Sequence, residues 1–412
     1  MSRATLGCQI AVRGRSGTGA EPEQSPISEA LGGAFLASAT DALVVHRRFD
    51  LMLALHEFHA GQGAVFTGLQ SMEAVAHYGD VAAEYSALQH SVGLADLSFR
   101  GRLCLLGADR VRLLHGQVTN DIEALKTGQG CYAAFTSPKG RMQADVHVYA
   151  LADELLLDVE PGLTPSLIQR LDHYIVADDV QAVDVAEHYG LFSLQGPKAL
   201  EVPGLLDAGL TVPPQSHGIV HRPDPGLGDL YWVNHARTGG QGVDVFVPSA
   251  AMGMVWDRLR LAVRSLGGRP VGWSALDLAR IEAGIPRFGV DIDESHLPPE
   301  AGLDRNGISY TKGCYIGQET IARIRTYGQV TKALRGLRFE PDAPMPARGD
   351  KILHNGREVG SLTSVIRSPR LGRPVALGYV RKECNAPGTA LRVRSASGTE
   401  TPAVIVPLPF SA

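Results

Sequence analysis

The chain has 412 residues, with 39 Lys and Arg against 43 Asp and Glu and a net charge of −4, so a nucleic-acid binder relying on a broad basic field is not expected. With 44% hydrophobic and 20% charged residues it can bury a sizeable core, and its length corresponds to about two to four domains. No run of about 18 uncharged apolar residues would span a membrane as a helix. The five cysteines, Cys8, Cys104, Cys131, Cys314 and Cys384, show no CxxC spacing, which disfavours a zinc ribbon or disulfide scaffold and fits a reducing, cytoplasmic setting.

Residues 1–45 stand apart. Arg3, Arg13 and Arg15 occur without an acid, then Glu21 and Glu23 sit beside prolines, and no periodicity persists. A disordered extension or a start site placed too early is expected. An organelle transit peptide has the same composition and is the alternative. From about Phe49 the pattern is mixed α and β without regular βαβ alternation. Helices are expected over Val81–His90, Gly107–His115 and Thr164–Ile175, with strands at Leu94–Ser98, Gly101–Leu106, Cys131–Phe135, Met142–Tyr149 and Leu155–Val159. Ser137-Pro138-Lys139-Gly140 reads as a hairpin turn. Further strands are expected at Leu191–Leu194, Tyr231–Asn234 and Val243–Val247. A short helix follows Gly196-Pro197, and longer ones cover Met252–Leu266 and Trp273–Ala283, the last closed by Gly284 and Pro286. The final eighty residues read as short strands at Gly336–Phe339, Lys351–Leu353, Glu358–Ile366, Val375–Tyr379 and Ala403–Val406. Asn355-Gly356 is the strongest hairpin signal among them, and a small β barrel or sandwich is expected.

Two stretches carry candidate chemistry. On strand alternation Met142, Ala144, Val146 and Val148 share one face, and Arg141, Gln143, Asp145, His147 and Tyr149 share the other. That polar row is either a solvated face or the wall of a ligand cavity with Asp145 as its carboxylate. The second stretch, Ile308–Arg325, reads ISYTKGCYIGQETIARIR. It describes an unusual turn bearing Cys314, a candidate reactive thiol, followed by a helix on which Glu319 and Arg323 are i,i+4 neighbours. Gly239-Gly240-Gln241-Gly242 lacks the Lys-Ser/Thr of a phosphate loop and reads as a turn. No metal-ligand spacing is apparent.

Lys312, Gly313, Cys314, Tyr315, Gly317, Gln318 and Glu319 resemble the K-G-C-[FY]-x-G-Q-E signature of the folate-binding YgfZ family. The chain is similar more widely to the superfamily that YgfZ shares with the glycine cleavage T-protein, an aminomethyltransferase. The likeness runs from HAGQGAVF at His59 through Leu94–Ser98, Thr119-Asn120-Asp121, Lys139–Met142 and Asp145–Tyr149, and then through Arg280–Gly284 and Glu300–Leu303. It implies an α+β fold with three domains in a ring around a central folate channel. Residues 46–330 would form two interleaved folate-binding subdomains, and 331–412 an all-β barrel. It implies tetrahydrofolate or a one-carbon derivative as cofactor, with no stably bound metal. Asp145 would act at the reacting folate nitrogen, Asp96, Asn120, Tyr149, Arg237 and Arg280 would bind folate, and Arg323 would close the signature loop. Three departures from the T-protein pattern stand out: Ala144 replaces the first of two aspartates, Gly240 replaces the pterin-gripping glutamate, and Leu276-Asp277-Leu278 replaces Arg-Asp-Thr. With the Cys314 signature, these favour a YgfZ-like accessory factor for iron–sulfur proteins. Cys314 would act in cluster handling, with iron–sulfur client proteins or assembly factors as partners. A folate-dependent aminomethyl- or methyltransferase of the T-protein type is the alternative.

Overall fold

The computed structural model describes residues 52–328 and 330–410; the extension over residues 1–45 lies outside them. Apart from one N-terminal hairpin, Val65–Leu69 with Met72–His77, the strands form two open sheets and a barrel. The hairpin turns through Gln70 and Ser71, both at positive φ (49° and 69°), the backbone that a two-residue turn between twisted strands requires.

The first open sheet has the strand order Gly130–Thr136, Met142–Ala150, Leu155–Val159, Gly101–Leu106, Gln181–Asp184 and is antiparallel throughout. One face is dry: Leu103, Leu105, Ala144, Val146, Val148 and Leu157 pack under the helices Arg110–Gln117 and Thr164–Tyr174 through Leu113, Leu114, Leu167 and Leu171. Strand alternation then forces Asp145, His147 and Asp158 to the opposite face. The strand Gly130–Thr136 carries a bulge between Phe135 and Thr136, just before the turn at 137–140.

The second sheet takes strands from either side of the first in sequence: Ile219–Asp224, Gly228–Asn234, Gly242–Pro248, Tyr189–Gln195, Gly93–Asp96 and Arg269–Pro270, in that spatial order. The last pair is parallel. The helix Met252–Ser265 buries Val255, Trp256, Leu259 and Val263 against one face. The other face meets the helices Val81–His90 and Trp273–Glu282 in a core that also takes in Cys104, Tyr149 and Leu156 from the first sheet.

The tail closes into a six-stranded antiparallel barrel, Lys332–Arg338, Arg373–Arg381, Arg357–Ser368, Lys351–His354, Ala390–Arg394, Glu400–Val406. Asn355 and Gly356 turn at φ 51° and 75°, as the Asn-Gly signal requires. The barrel is tied to the rest by buried polar contacts. Arg280 reaches Asp291 at 2.5 Å and Ser364 at 3.0 Å, while Thr363 and Ser364 donate to the same Asp291 carboxylate. Glu282 accepts from Tyr85 and Ser368. The mixed α+β architecture with a C-terminal all-β barrel is thus the one the sequence implies. Among the described residues no helix is long and apolar enough to cross a membrane.

Candidate functional site

Both sheets, the helix Trp273–Glu282, the 283–306 segment and the barrel strand Lys332–Arg338 enclose a central cavity of about 650 Å³, within the range of small-molecule sites. Its apolar wall includes Leu97, Trp273, Leu276 and Leu303, and its polar wall includes Asp145, His147, Glu160, His217, His235 and Arg287. This is the cavity reading of the polar row on the hairpin strand, for Asp145 and His147 only. Arg141 instead donates to the Ser295 carbonyl, and Gln143 meets Arg170.

Asp145 accepts a 2.9 Å bond from the Tyr132 hydroxyl, its neighbour one strand away. Burial and the nearby Glu160 carboxylate push its acid up to about 6, although Tyr132 pulls the other way. It therefore holds or releases a proton near neutrality, as a general acid or base must. Glu160 itself stays ionised. Burial alone would raise it, but Arg100 and Arg287 outweigh that and hold it below its ordinary range. The Arg287 Nε lies 2.5 Å from Glu160, and its guanidinium stacks over Trp273 at 4.6 Å. One Arg287 terminal nitrogen is buried without a protein partner. A buried donor left unpaired is costly, so this cavity-lining group is suited to a ligand oxygen.

Behind that wall runs a chain of buried ion pairs. Arg100 joins Asp158 at 2.6 Å and also Glu160, and Arg237 joins Asp158 at 2.5 Å and Asp244 at 2.7 Å. Burial raises Asp158, but Arg100 and Arg237 dominate and keep it well below the usual carboxylate range. Gln195 fixes the 235–238 loop from below: its amide donates to the His235 carbonyl and accepts from the Arg237 N–H, each at 2.9 Å.

Three histidines meet at one end of the cavity. His147 comes from the hairpin strand, His235 follows Gly228–Asn234, and His217 lies on the loop before Ile219–Asp224. Their ligand atoms fall within 4.8 Å of one another. The His217 loop can approach because Gly130 faces it; a Cβ there would lie 2.7 Å from the His217 carbonyl. Burial depresses all three, His217 to about 4; Arg237 adds to the effect in each, and neighbouring imidazoles add to it in His147 and His235, so they are neutral at physiological pH.

The other residues singled out in the sequence divide clearly. Arg237 and Arg280 line the cavity with Asp145, both already engaged by carboxylates. Asp96, Asn120 and Tyr149 do not line it. Asp96 is buried against His59 at 2.9 Å, Asn120 donates to the carbonyls of Tyr132 and Asn306, and the Tyr149 hydroxyl packs 3.2 Å from His235. The signature loop lies outside the cavity lining. Lys312 is buried, its ammonium bonded to the carbonyls of His115, Val118 and Asn120. Tyr315 is buried nearby under the Lys312 ammonium, 4.9 Å from its ring. Gln318 reaches back to the Gly313 carbonyl at 3.4 Å. Gly317 sits at φ 86° against the Ser137 carbonyl, which a Cβ would meet at 2.4 Å. The loop thus clasps the hairpin turn and leaves Cys314 exposed. Glu319 and Arg323 form an exposed i,i+4 pair at 2.5 Å, worth little to stability. Gly240 is exposed, with open space around its Cβ position. Tyr132, Glu160, Arg100, Arg287, His217 and His235 were not legible as site residues. No local motif joins them, and only Pro213-Pro214 and the Arg237-Thr238-Gly239 turn flag the loops that deliver the two histidines.

The chain is similar to known proteins over most of its length. Residues 55–306 match the GCVT N-terminal domain, and residues 332–411 match the glycine cleavage T-protein C-terminal barrel domain. It is 29% identical over 359 residues to an aminomethyltransferase of Saccharopolyspora erythraea, covering 86% of this chain and 96% of that one. It is 30% identical over 356 residues to an aminomethyltransferase of Rubrobacter xylanophilus, covering 86% and 93%. The crystal structure of the glycine cleavage system aminomethyltransferase T from Bartonella henselae superposes with a TM-score of 0.78 at 24% identity, over 87% of this chain and 98% of that one; that likeness speaks to the fold. Both sheets and the barrel fall within the matched segments, and on that ground the chain belongs to the glycine cleavage T-protein family.

Proposed function

We propose that this protein binds tetrahydrofolate in the central cavity and transfers a one-carbon unit to it, as a folate-dependent aminomethyltransferase of the T-protein type. The observation that carries the reading is Asp145. It is a carboxylate on a rigid strand, facing a cavity of folate-compatible size, with an acid raised to about 6. The residues present also fit a folate in kind. Trp273 and Leu276 offer flat apolar contact, and the unpaired Arg287 nitrogen offers a donor for a ring carbonyl. When bound, tetrahydrofolate supplies the nucleophilic nitrogens that take up the carbon. Asp145 accepts or returns the proton at the reacting nitrogen, and Tyr132 fixes its orientation. The ion-pair wall of Arg100, Asp158, Glu160 and Arg237 keeps the site preorganised. The test is turnover. An aminomethyl group offered on a dihydrolipoyl thiol together with tetrahydrofolate should yield methylene-tetrahydrofolate, ammonia and the free dihydrolipoyl thiol, the carbon exchanging its bonds to sulfur and to the amine for bonds to two folate nitrogens, and Asp145→Asn should slow this by about 10²–10⁴-fold. Binding without turnover would remove the transferase reading.

One observation favours a second reading, the YgfZ-like accessory role. The Lys312 and Gly317 contacts hold Cys314 at the surface, beside a turn built on the hairpin that carries Asp145. A single thiolate does not hold an iron–sulfur cluster alone, so Cys314 would serve as a transient ligand or redox contact to a client protein. Cys314→Ala that fully rescues iron–sulfur enzyme activity in a null strain would rule this role out.

A further inference from the structure

We propose that His147, His217 and His235 form a binding site for a divalent transition metal of the zinc class, with an open coordination position facing the cavity. The proposal goes beyond the folate reading and does not depend on it.

The hydrogen bonds sort the ring nitrogens. His235 Nδ1 lies 3.0 Å from Asp244 Oδ2 and 3.2 Å from the Tyr149 hydroxyl, and His217 Nδ1 lies 2.9 Å from the Ser216 hydroxyl. In each ring the Nδ1 is engaged and Nε2 is left as the donor. A carboxylate behind an imidazole is the usual outer partner of a metal-bound histidine, fixing its tautomer and raising its basicity. His147 presents Nδ1, 2.9 Å from His217 Nε2. Two imidazole nitrogens at that distance share one proton between them, and a cation takes the proton's place once the rings turn so that both lone pairs converge on it.

Three neutral imidazoles are the donor set of open, catalytic-type zinc sites, whose fourth position takes water or a substrate atom. Metal–nitrogen bonds of about 2.0–2.1 Å place tetrahedral donors roughly 3.3 Å apart. The present spacings, from 2.9 Å to at most 4.8 Å, reach that with shifts of up to about 1.5 Å. His217 can supply the shift because it lies on a loop. Its backbone is held at φ 61°, a conformation uncommon for residues other than glycine, and this aims His217 Nε2 edge-on at His147 Nδ1, with the ring centroids 5.1 Å apart. All three residues line the cavity beside Asp145, so the fourth position would meet a bound substrate. The ligand class for that position is a water or an uncharged or anionic nitrogen, oxygen or sulfur donor.

The test uses the full chain purified without a histidine tag, stripped with a chelator, and titrated with zinc chloride. Retained zinc is measured by mass spectrometry, and cobalt(II) absorption reports the geometry. The wild type should keep a single zinc ion per chain and give an intense tetrahedral cobalt spectrum. His217→Asn is the informative variant, because asparagine tolerates positive φ and removes only the imidazole. It should lose about 100-fold or more in zinc affinity. Ser216→Ala, an exposed outer partner, should lose about 10-fold. Far-ultraviolet circular dichroism checks that both remain folded, and His147→Gln repeats the test from the strand if His217→Asn does not. Failure of the wild type to retain zinc, or retention unchanged in the folded histidine variants, overturns the proposal.

Discussion

Asp145→Asn should make this protein more stable at neutral pH. Burial and Glu160 raise the Asp145 acid from 3.8 to about 6, a shift of roughly two units, or about 3 kcal/mol at 1.36 kcal/mol per unit. The side chain faces a solvated cavity, and screening there reduces the expected gain to about 1–2 kcal/mol. The sign follows from linkage. A raised folded-state acid favours the native state fully only below the unfolded value, and that advantage is lost as pH rises through about 6. Asparagine carries no such penalty, and its Oδ1 still accepts from Tyr132. Urea unfolding of both proteins from pH 4 to 8 should show the variant ahead above pH 6, with the gap closing toward pH 4. A variant equal or less stable at pH 8, or a gap independent of pH, would refute the electrostatic reasoning for this carboxylate. A residue that costs stability and sits in a cavity is an expected place for function.

The Asp158 and Glu160 carboxylates have the opposite sign. Both are held low by arginines, so their contribution is present above about pH 4 and is lost as pH falls toward their folded values; melting temperature should drop steeply below about pH 4, and less steeply in Arg237→Met, in which part of the contribution is already gone. Lys312→Met strips the donor from three backbone carbonyls and should cost about 2–4 kcal/mol in chemical denaturation, while Cys314 labelling by a thiol reagent becomes faster as the loop loosens. Gly240→Glu meets open space and needs no left-handed backbone, so stability in chemical denaturation should stay within about 0.5 kcal/mol of the wild type.

How far the sequence disclosed this molecule differs between its parts. Period-two alternation over Met142–Tyr149 was enough to separate the buried Ala144, Val146 and Val148 from the cavity-facing Asp145 and His147, because one face of that strand is dry. Asn355-Gly356 marked its hairpin for a backbone reason, since both residues take positive φ. Other elements gave weak signals. Ile219–Asp224 is an edge strand with Pro223 and partial exposure, Arg269–Pro270 is two residues long, and Ala390–Arg394 alternates arginine with apolar residues. The polar residues around Asp145 come from segments up to 187 positions apart, Arg100 to Arg287, and only the closing of the two sheets and the barrel around one cavity brings them together. Asp96 illustrates the converse. It lies in a family-like stretch, yet its carboxylate is consumed by His59 and the Ser98 N–H.

The most direct test of the central claim is calorimetric titration of tetrahydrofolate into the wild type and into Asp145→Asn. The account predicts saturable binding to the wild type, with a Kd on the order of 1–100 µM, weakened at least ~10-fold by loss of the charged acceptor. No heat from the wild type, or equal affinity in the two proteins, would contradict it.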